Sequence, residues 1–248
     1  MYSVQKEIDN LFNKWSEKYI DSKDDLSKDG ILDENIYWNS IPRIVFLLKD
    51  TYGDFTEIAP LPEECKDGYG PTGGSPWFWR NLRSWQYVIQ IVVNSIIESK
   101  SNNVPEIQEE DVNKIMETKL TGVGYINTKK LVGESQAKWE DIYDFAQRDA
   151  VLLKEELILL EPHIIFCCGY QENPRYSVYE CLKVIDSSFK DAIKLSNGIY
   201  ESKGILAIDW WHPSWTYPDA KWYNLIHENC FGNPKVMEKI KELDWKKR

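Results

Sequence analysis

Apolar positions along this chain fall into two rhythms, and the switches between them outline the fold. Residues 3–20 place Val4, Ile8, Leu11, Phe12, Trp15 and Tyr19 at helical spacing, which predicts an amphipathic helix. Acidic and turn-forming residues follow to about Asn39. Ile44 to Leu48 are then five apolar residues in a row, too few for a free-standing helix and suited to a central parallel strand buried on both faces. The run stops at Lys49-Asp50-Thr51-Tyr52-Gly53-Asp54, a polar loop containing glycine. Between 56 and 76 Pro and Gly are dense, which predicts a long exposed loop of the kind that usually carries function.

Residues 77–98 form a strongly apolar helix expected to pack on the sheet, and 99–118 read as a polar surface excursion with a short helix. A second strand, 123–126, ends at Asn127-Thr128-Lys129-Lys130. Residues 139–160 give the clearest helix, stopped by Glu161-Pro162. Residues 163–168 are a third buried strand, closed by Gly169. A helix fits 178–195, and a fourth strand over 204–208 leads to Trp210-Trp211-His212-Pro213-Ser214. A C-terminal amphipathic helix and the basic end Lys246-Lys247-Arg248 finish the chain. Strands alternating with helices predict a three-layer α/β/α fold around a mainly parallel four-stranded sheet. One domain is expected over 1–248. Residues 1–38 form its N-terminal helical extension, 56–76 its long functional loop and 232–248 its basic C-terminal tail.

Composition narrows the function classes. Forty acids against 30 bases give a formal charge of −10, which argues against a general nucleic-acid coat protein but allows a local basic groove. No opening segment resembles a signal peptide and no run approaches the ~18 apolar residues of a membrane span, so a cytoplasmic protein is expected. The five cysteines are scattered and Cys167-Cys168 lie in an apolar run, which suits reduced core thiols better than a disulfide framework or metal site. Eleven Trp, 14 Tyr and 8 Phe leave some rings over for stacking on a flat ligand.

Three polar residues each stand just past a buried strand: Asp50, Asn127 and His212. In open α/β sheets ligands bind outside the carboxyl ends of the strands, so all three are expected on one rim. A carboxylate can activate water or stabilise a developing cation. An Asn offers a donor and an acceptor together, and a His can donate to an oxygen that gains charge. Each also has a structural reading: Asp50 as a turn or cap carboxylate, Asn127 as a loop cap, His212 as a packing residue before Pro-Ser. His163 and His227 read as structural, Gly73-Gly74 as a turn, Trp77-Phe78-Trp79 as mostly core, and Glu109-Glu110-Asp111 as solvated surface.

Taken in order, these segments resemble the uracil-DNA glycosylase superfamily. Leu48-Lys49-Asp50-Thr51-Tyr52 stands in the register of the family's G-Q-D-P-Y motif, matching at Asp and Tyr. Tyr125 to Lys130 is similar to its Asn-bearing strand end. Residues 145–169, with Arg148-Asp149, Leu153, Leu157, Pro162 and Gly169, resemble its helix-then-strand signature. His212-Pro213-Ser214 is its H-P-S motif intact, and Ser75-Pro76 with Arg80-Asn81-Leu82 is similar to its phosphate-gripping segment. The resemblance spans about residues 40–230.

The resemblance implies a monofunctional DNA glycosylase, a hydrolase that extrudes a pyrimidine from the stack and leaves an abasic site. Asp50 would position water and stabilise the oxocarbenium-like sugar, and His212 would bond the base oxygen that gains charge. Asn127 would read the base edge and Tyr52 would stand against C5. The stacking ring would be Phe78 or Tyr69. Ser75, Ser214, Lys129 and Lys130 would meet phosphates, and Trp215 or Tyr217 would be the wedge filling the gap in the duplex. Leu48 and Lys49 depart from the motif at its Gly and Gln, which points beyond uracil to a modified pyrimidine, such as a bulky modified cytosine in foreign phage DNA. The role would be DNA repair or, on foreign DNA, antiviral defence. DNA is the expected partner of a monomer with no cofactor, no metal, no membrane and no iron–sulfur cluster. Two other classes share these residues: a non-catalytic nucleic-acid-binding relative and a small-molecule hydrolase acting on nucleosides or nucleotides.

Overall fold

A computed structural model describes residues 4–50, 76–99, 122–133, 138–169, 177–214 and 225–245. The helices are α1 (Val4–Lys18), α2 (Glu34–Asn39), α3 (Pro76–Ser99), α4 (Trp139–Leu160), α5 (Val178–Ile185) and α6 (Pro234–Glu242). The strands are β1 (Gly30–Ile31), β2 (Ile44–Leu48), β3 (Val123–Asn127), β4 (Ile164–Cys168), β5 (Ile193–Ser196), β6 (Ile199–Ser202) and β7 (Ile205–Trp210). They form one sheet in the order β1-β3-β2-β4-β7-β6-β5.

Its centre, β3-β2-β4-β7, is parallel throughout and comprises the four strands expected from the sequence. The sheet as a whole is nevertheless mixed and, among the described residues, seven-stranded: β1, β6 and β5 add antiparallel edges. The helix expected over 178–195 stops at Ile185. Asp186 caps a single 3₁₀ turn, and Ile193–Ser196 turns back on Ile199–Ser202 as a hairpin. Its turn holds Asn197-Gly198, with Gly198 at φ +73°, a conformation that a side chain disfavours and a hairpin turn requires.

All five residues of β2 are buried, as a strand packed on both faces must be. Ile44, Phe46 and Leu48 face α3, the π-helical turn Ile226–Phe231 and α6, while Val45 and Leu47 face α1, α4 and α5. The result is three layers. The amphipathic helix expected near the end of the chain is α6, and it occupies much of the stretch 232–248 marked as a basic tail: Asn233 caps it, Pro234 starts it, and Val236, Met237 and Ile240 are buried. His163 is structural as expected, its Nδ1 accepting the Arg43 backbone N–H at 2.9 Å. Cys167 and Cys168 are buried free thiols, and burial pushes both well above the usual thiol range.

Beneath α1 lies a buried ion triad. Lys130 Nζ donates to Asp29 Oδ1 (2.6 Å) and Glu156 Oε2 (2.7 Å), with the rings of Phe12 and Trp15 over the ammonium. Burial alone would lower the Lys130 pKa, but the two carboxylates more than offset this and hold it raised. Lys130 is fully buried, so it cannot meet a phosphate as the resemblance implied. Its partners are distant in the chain, and next to the exposed-looking Lys129 nothing local distinguishes it.

Two stability measurements check this picture. Lys130→Met leaves two buried carboxyls facing one another and should cost about 3–5 kcal/mol in urea unfolding; a loss below ~1 kcal/mol contradicts the triad. Asp209, on β7, has a buried Oδ1 with no hydrogen-bond partner among the described residues, and burial followed by the nearby Glu180 pushes its pKa up to about 7. Between the ordinary Asp value of ~3.9 and that figure the folded state holds the extra proton, so rising pH removes stability across this window and no more above it. The advantage of Asp209→Asn over the parent should therefore be larger at pH 8 than at pH 5, by ~2–3 kcal/mol.

Candidate functional site

Chain order within the parallel core explains where a site can form. From β2 the chain leaves by way of α3 on one face for β3, and from neighbouring β4 it leaves by way of α5 on the other face for the strands on the opposite side. Connections that leave neighbouring strands for opposite faces leave a crevice between their carboxyl ends. That point lies between Leu48 at the end of β2 and Cys168 at the end of β4.

Lys49 and Asp50 emerge from β2 at this crevice, and Gly169 from β4. On one side the rim continues to Asn127, whose Cα pairs with Leu48. The turn after it is zipped to β2: the Thr128 N–H (3.0 Å) and Oγ1 (2.7 Å) both donate to Leu48 O, and the Lys129 N–H to Lys49 O (2.8 Å). From behind, Asp29 Oδ2 accepts the Asn127 backbone N–H while its other oxygen holds Lys130. On the other side Gly169 N–H donates to Trp210 O (2.8 Å), which registers the segment leading to His212. Strand spacing of ~4.8 Å places the backbones of Asn127 and His212 roughly 14 Å apart with Asp50 between them.

His212 is fixed through one nitrogen. Its Nδ1 accepts the Ser214 backbone N–H (3.3 Å) and lies 2.6 Å from Ser214 Oγ, so in the neutral ring the proton belongs on Nε2. Pro213 O accepts from Asn81 Nδ2 of α3 at 2.5 Å, tying the turn to that helix. Phe78, also on α3, puts its ring 5.9 Å from the imidazole at 51°. Burial, and after it the Lys49 charge, pushes the imidazole down to about 3, so at neutral pH it is an uncharged donor.

Asp50 carries the opposite perturbation. Burial raises its pKa, Lys49 and Lys129 pull it down, and Asp141 raises it further, with the net direction upward. The carboxylate sits directly on Gly133, where a Cβ would come 1.9 Å from Oδ2. Lys49 extends over the Trp139 ring at 5.4 Å, with its Cγ near Gly169. Gly169 has φ +152°, and a Cβ there would meet Val178 at 2.9 Å and Trp139 at 3.1 Å. Lys129 lies half-buried with Nζ 5.2 Å from the Phe145 ring.

The fold therefore brings Asp50, Asn127, His212, Phe78, Ser214 and Lys129 to one edge, and sends Lys130 into the core. Ser214 engages His212 through its hydroxyl. Tyr52, Tyr69, Ser75, Trp215 and Tyr217 lie outside the described residues. Among the described residues the Asp50 carboxylate, the Asn127 side-chain amide and the Lys49 ammonium make no hydrogen bond. Sequence reasoning missed Lys49, Gly133 and Trp139 as site residues. A lysine directly preceding a candidate acid was a usable signal for the first; the other two depend on contacts between distant segments. Among the described residues no group of three His, Cys, Asp or Glu could hold a metal ion, and no helix is long and apolar enough to cross a membrane.

The imidazole state can be read directly. The chain has three histidines, and the His212 ring carbons should keep neutral-form chemical shifts from pH 8 down to about pH 4 in a proton–carbon NMR titration. A midpoint above 6 would contradict the buried, lysine-facing environment.

Compared with protein-family models, with curated proteins and with solved structures, the chain matches none of them.

Proposed function

We propose that this protein is a DNA glycosylase that hydrolyses the N-glycosidic bond of a flipped pyrimidine, uracil or a modified base, and leaves an abasic site. The observation that carries this reading is the pairing of an acid with a raised pKa, Asp50, and an uncharged imidazole, His212, on the carboxyl rim at the switch point of the sheet. Two titratable groups pushed in opposite directions at one crevice suit separate roles in one reaction.

Asp50 is the group for water and for the cationic sugar. Partial burial strengthens it as a base, while Lys49 and Lys129 keep the ionised form accessible. His212, protonated on Nε2, can donate to the base oxygen that gains negative charge as the bond to the sugar lengthens. A neutral donor held in a partly buried site stabilises that oxygen without giving up its proton. The Asn127 amide supplies a donor and an acceptor for the edge of the base. Phe78, beside His212, is placed to stack on the base, and Lys129 adds positive charge for the phosphate backbone. The substituted motif at Leu48-Lys49 favours a modified pyrimidine, a bulky modified cytosine among them, over uracil alone.

The test is release of free base from duplexes bearing uracil and a series of modified pyrimidines. Asp50→Asn should lower release of the preferred base by about 10²–10⁴-fold while DNA binding persists. Unchanged release in Asp50→Asn, or no release from any duplex, would overturn the reading. Gly133→Ala should displace the carboxylate that its new methyl meets, so activity falls with little change in thermal stability, because only the end of one side chain must move. A non-enzymatic binding protein would be indifferent to both changes. A nucleoside hydrolase would act on free nucleosides without the salt dependence that phosphate contacts impose.

A further inference from the structure

We propose that Lys49 is a nucleophilic amine which condenses with the aldehyde of an abasic deoxyribose, giving this site a strand-cleaving lyase activity after base release. The inference rests on the glycosylase reading for its substrate, and on the surroundings of Lys49 for its chemistry.

Lys49 leaves the central strand at the crevice, next in sequence to Asp50 and near enough to His212 for its charge to depress the imidazole. Its stem passes Gly169, and its Nζ lies over the indole of Trp139. Among the described residues no carboxylate or carbonyl binds the ammonium, in contrast to Lys130, which is locked between two carboxylates. Asp50 is its neighbour yet forms no ion pair with it. Burial lowers the Lys49 pKa despite the opposing pull of Asp50. A partly desolvated lysine with no ion-pair partner among the described residues presents more of the neutral amine near pH 7, the form that attacks carbonyl carbon.

The chemistry closes without an added reagent. Hydrolysis of the glycosidic bond leaves C1′ as a masked aldehyde. The Lys49 Nζ lone pair forms a bond to C1′, and the carbonyl oxygen leaves as water, giving an imine. The Asp50 carboxylate takes a proton from C2′. The C2′–H electron pair becomes the C2′–C3′ double bond, and the C3′–O bond breaks to release the downstream strand with a 5′-phosphate. Water then hydrolyses the imine and restores the amine.

Borohydride reduction traps such an imine as a permanent cross-link. The parent protein is incubated with a duplex carrying a preformed abasic site, which needs no glycosylase step, and with a tetrahydrofuran duplex that lacks the aldehyde. A cross-link is expected with the first duplex only, and peptide mapping of the adduct should place it on residue 49. Lys49→Arg keeps the charge and should lose the cross-link, whereas Lys14→Arg, an exposed site paired with Glu155, should retain it. No cross-link with the parent, an adduct mapped to another residue, or full trapping in Lys49→Arg would overturn the inference. Free-base release measured on the same preparation separates the two readings. Release without trapping leaves the glycosylase and removes the lyase; trapping at residue 49 without release leaves the amine and removes the glycosylase.

Discussion

A strand that is apolar on both sides has to be covered on both sides, and this one requirement shapes the molecule. β2 offers five consecutive buried residues, so helices must pack above and below it, and the chain supplies them by sending successive crossovers to opposite faces. The same divergence opens the crevice at the carboxyl end of β2. The element most committed to the core is therefore the one that delivers Lys49 and Asp50 to the rim. The core and the candidate site lie one residue apart at Leu48-Lys49.

A second constraint holds the rim in shape. An ammonium taken out of water must keep a counter-charge, and Lys130 is held between two carboxyl groups, of which Glu156 is pushed well above the usual carboxylate range by burial and by the nearby Asp29. Because Asp29 uses its second oxygen on the Asn127 backbone, the charge balance of the interior also fixes the amide presented at the edge. Hydrogen bonds from Thr128 and Lys129 to the end of β2 complete the clamp. The candidate site is thus built on strand ends braced from beneath, the arrangement that holds functional groups to a small positional tolerance.

Much of this was legible in the sequence, and the exceptions have physical causes. Unbroken apolar runs revealed β2 and β4, and the periodic stretch from Trp139 to Leu160 matched α4 to the residue. Asp50, Asn127 and His212 were recognisable because a polar residue ending an apolar run has only the rim to occupy. The β5–β6 hairpin was hidden because Val178 onward begins with helical spacing, and the Asn197-Gly198 pair is a short local mark within a stretch that otherwise reads as helix. Lys130 misled for a different reason. Its direction is set by Asp29 and Glu156, 101 and 26 residues away, and no local pattern carries that information. Gly133 gave no signal, since its importance is the space it leaves for one carboxylate.

The helix that covers the triad also sets an order of events during synthesis. α1 packs on α4, with Lys18 bonded to Asp149 across 131 residues of sequence, so Phe12 and Trp15 have no finished surface to meet until α4 has left the ribosome. At ~5–20 residues per second that interval lasts many seconds, with an apolar helix face exposed to the cell throughout. Chaperone dependence and inclusion-body formation should accordingly track the amino-terminal helix rather than the sheet, and a solubility tag fused ahead of Val4 would shield the segment that waits longest for its partner.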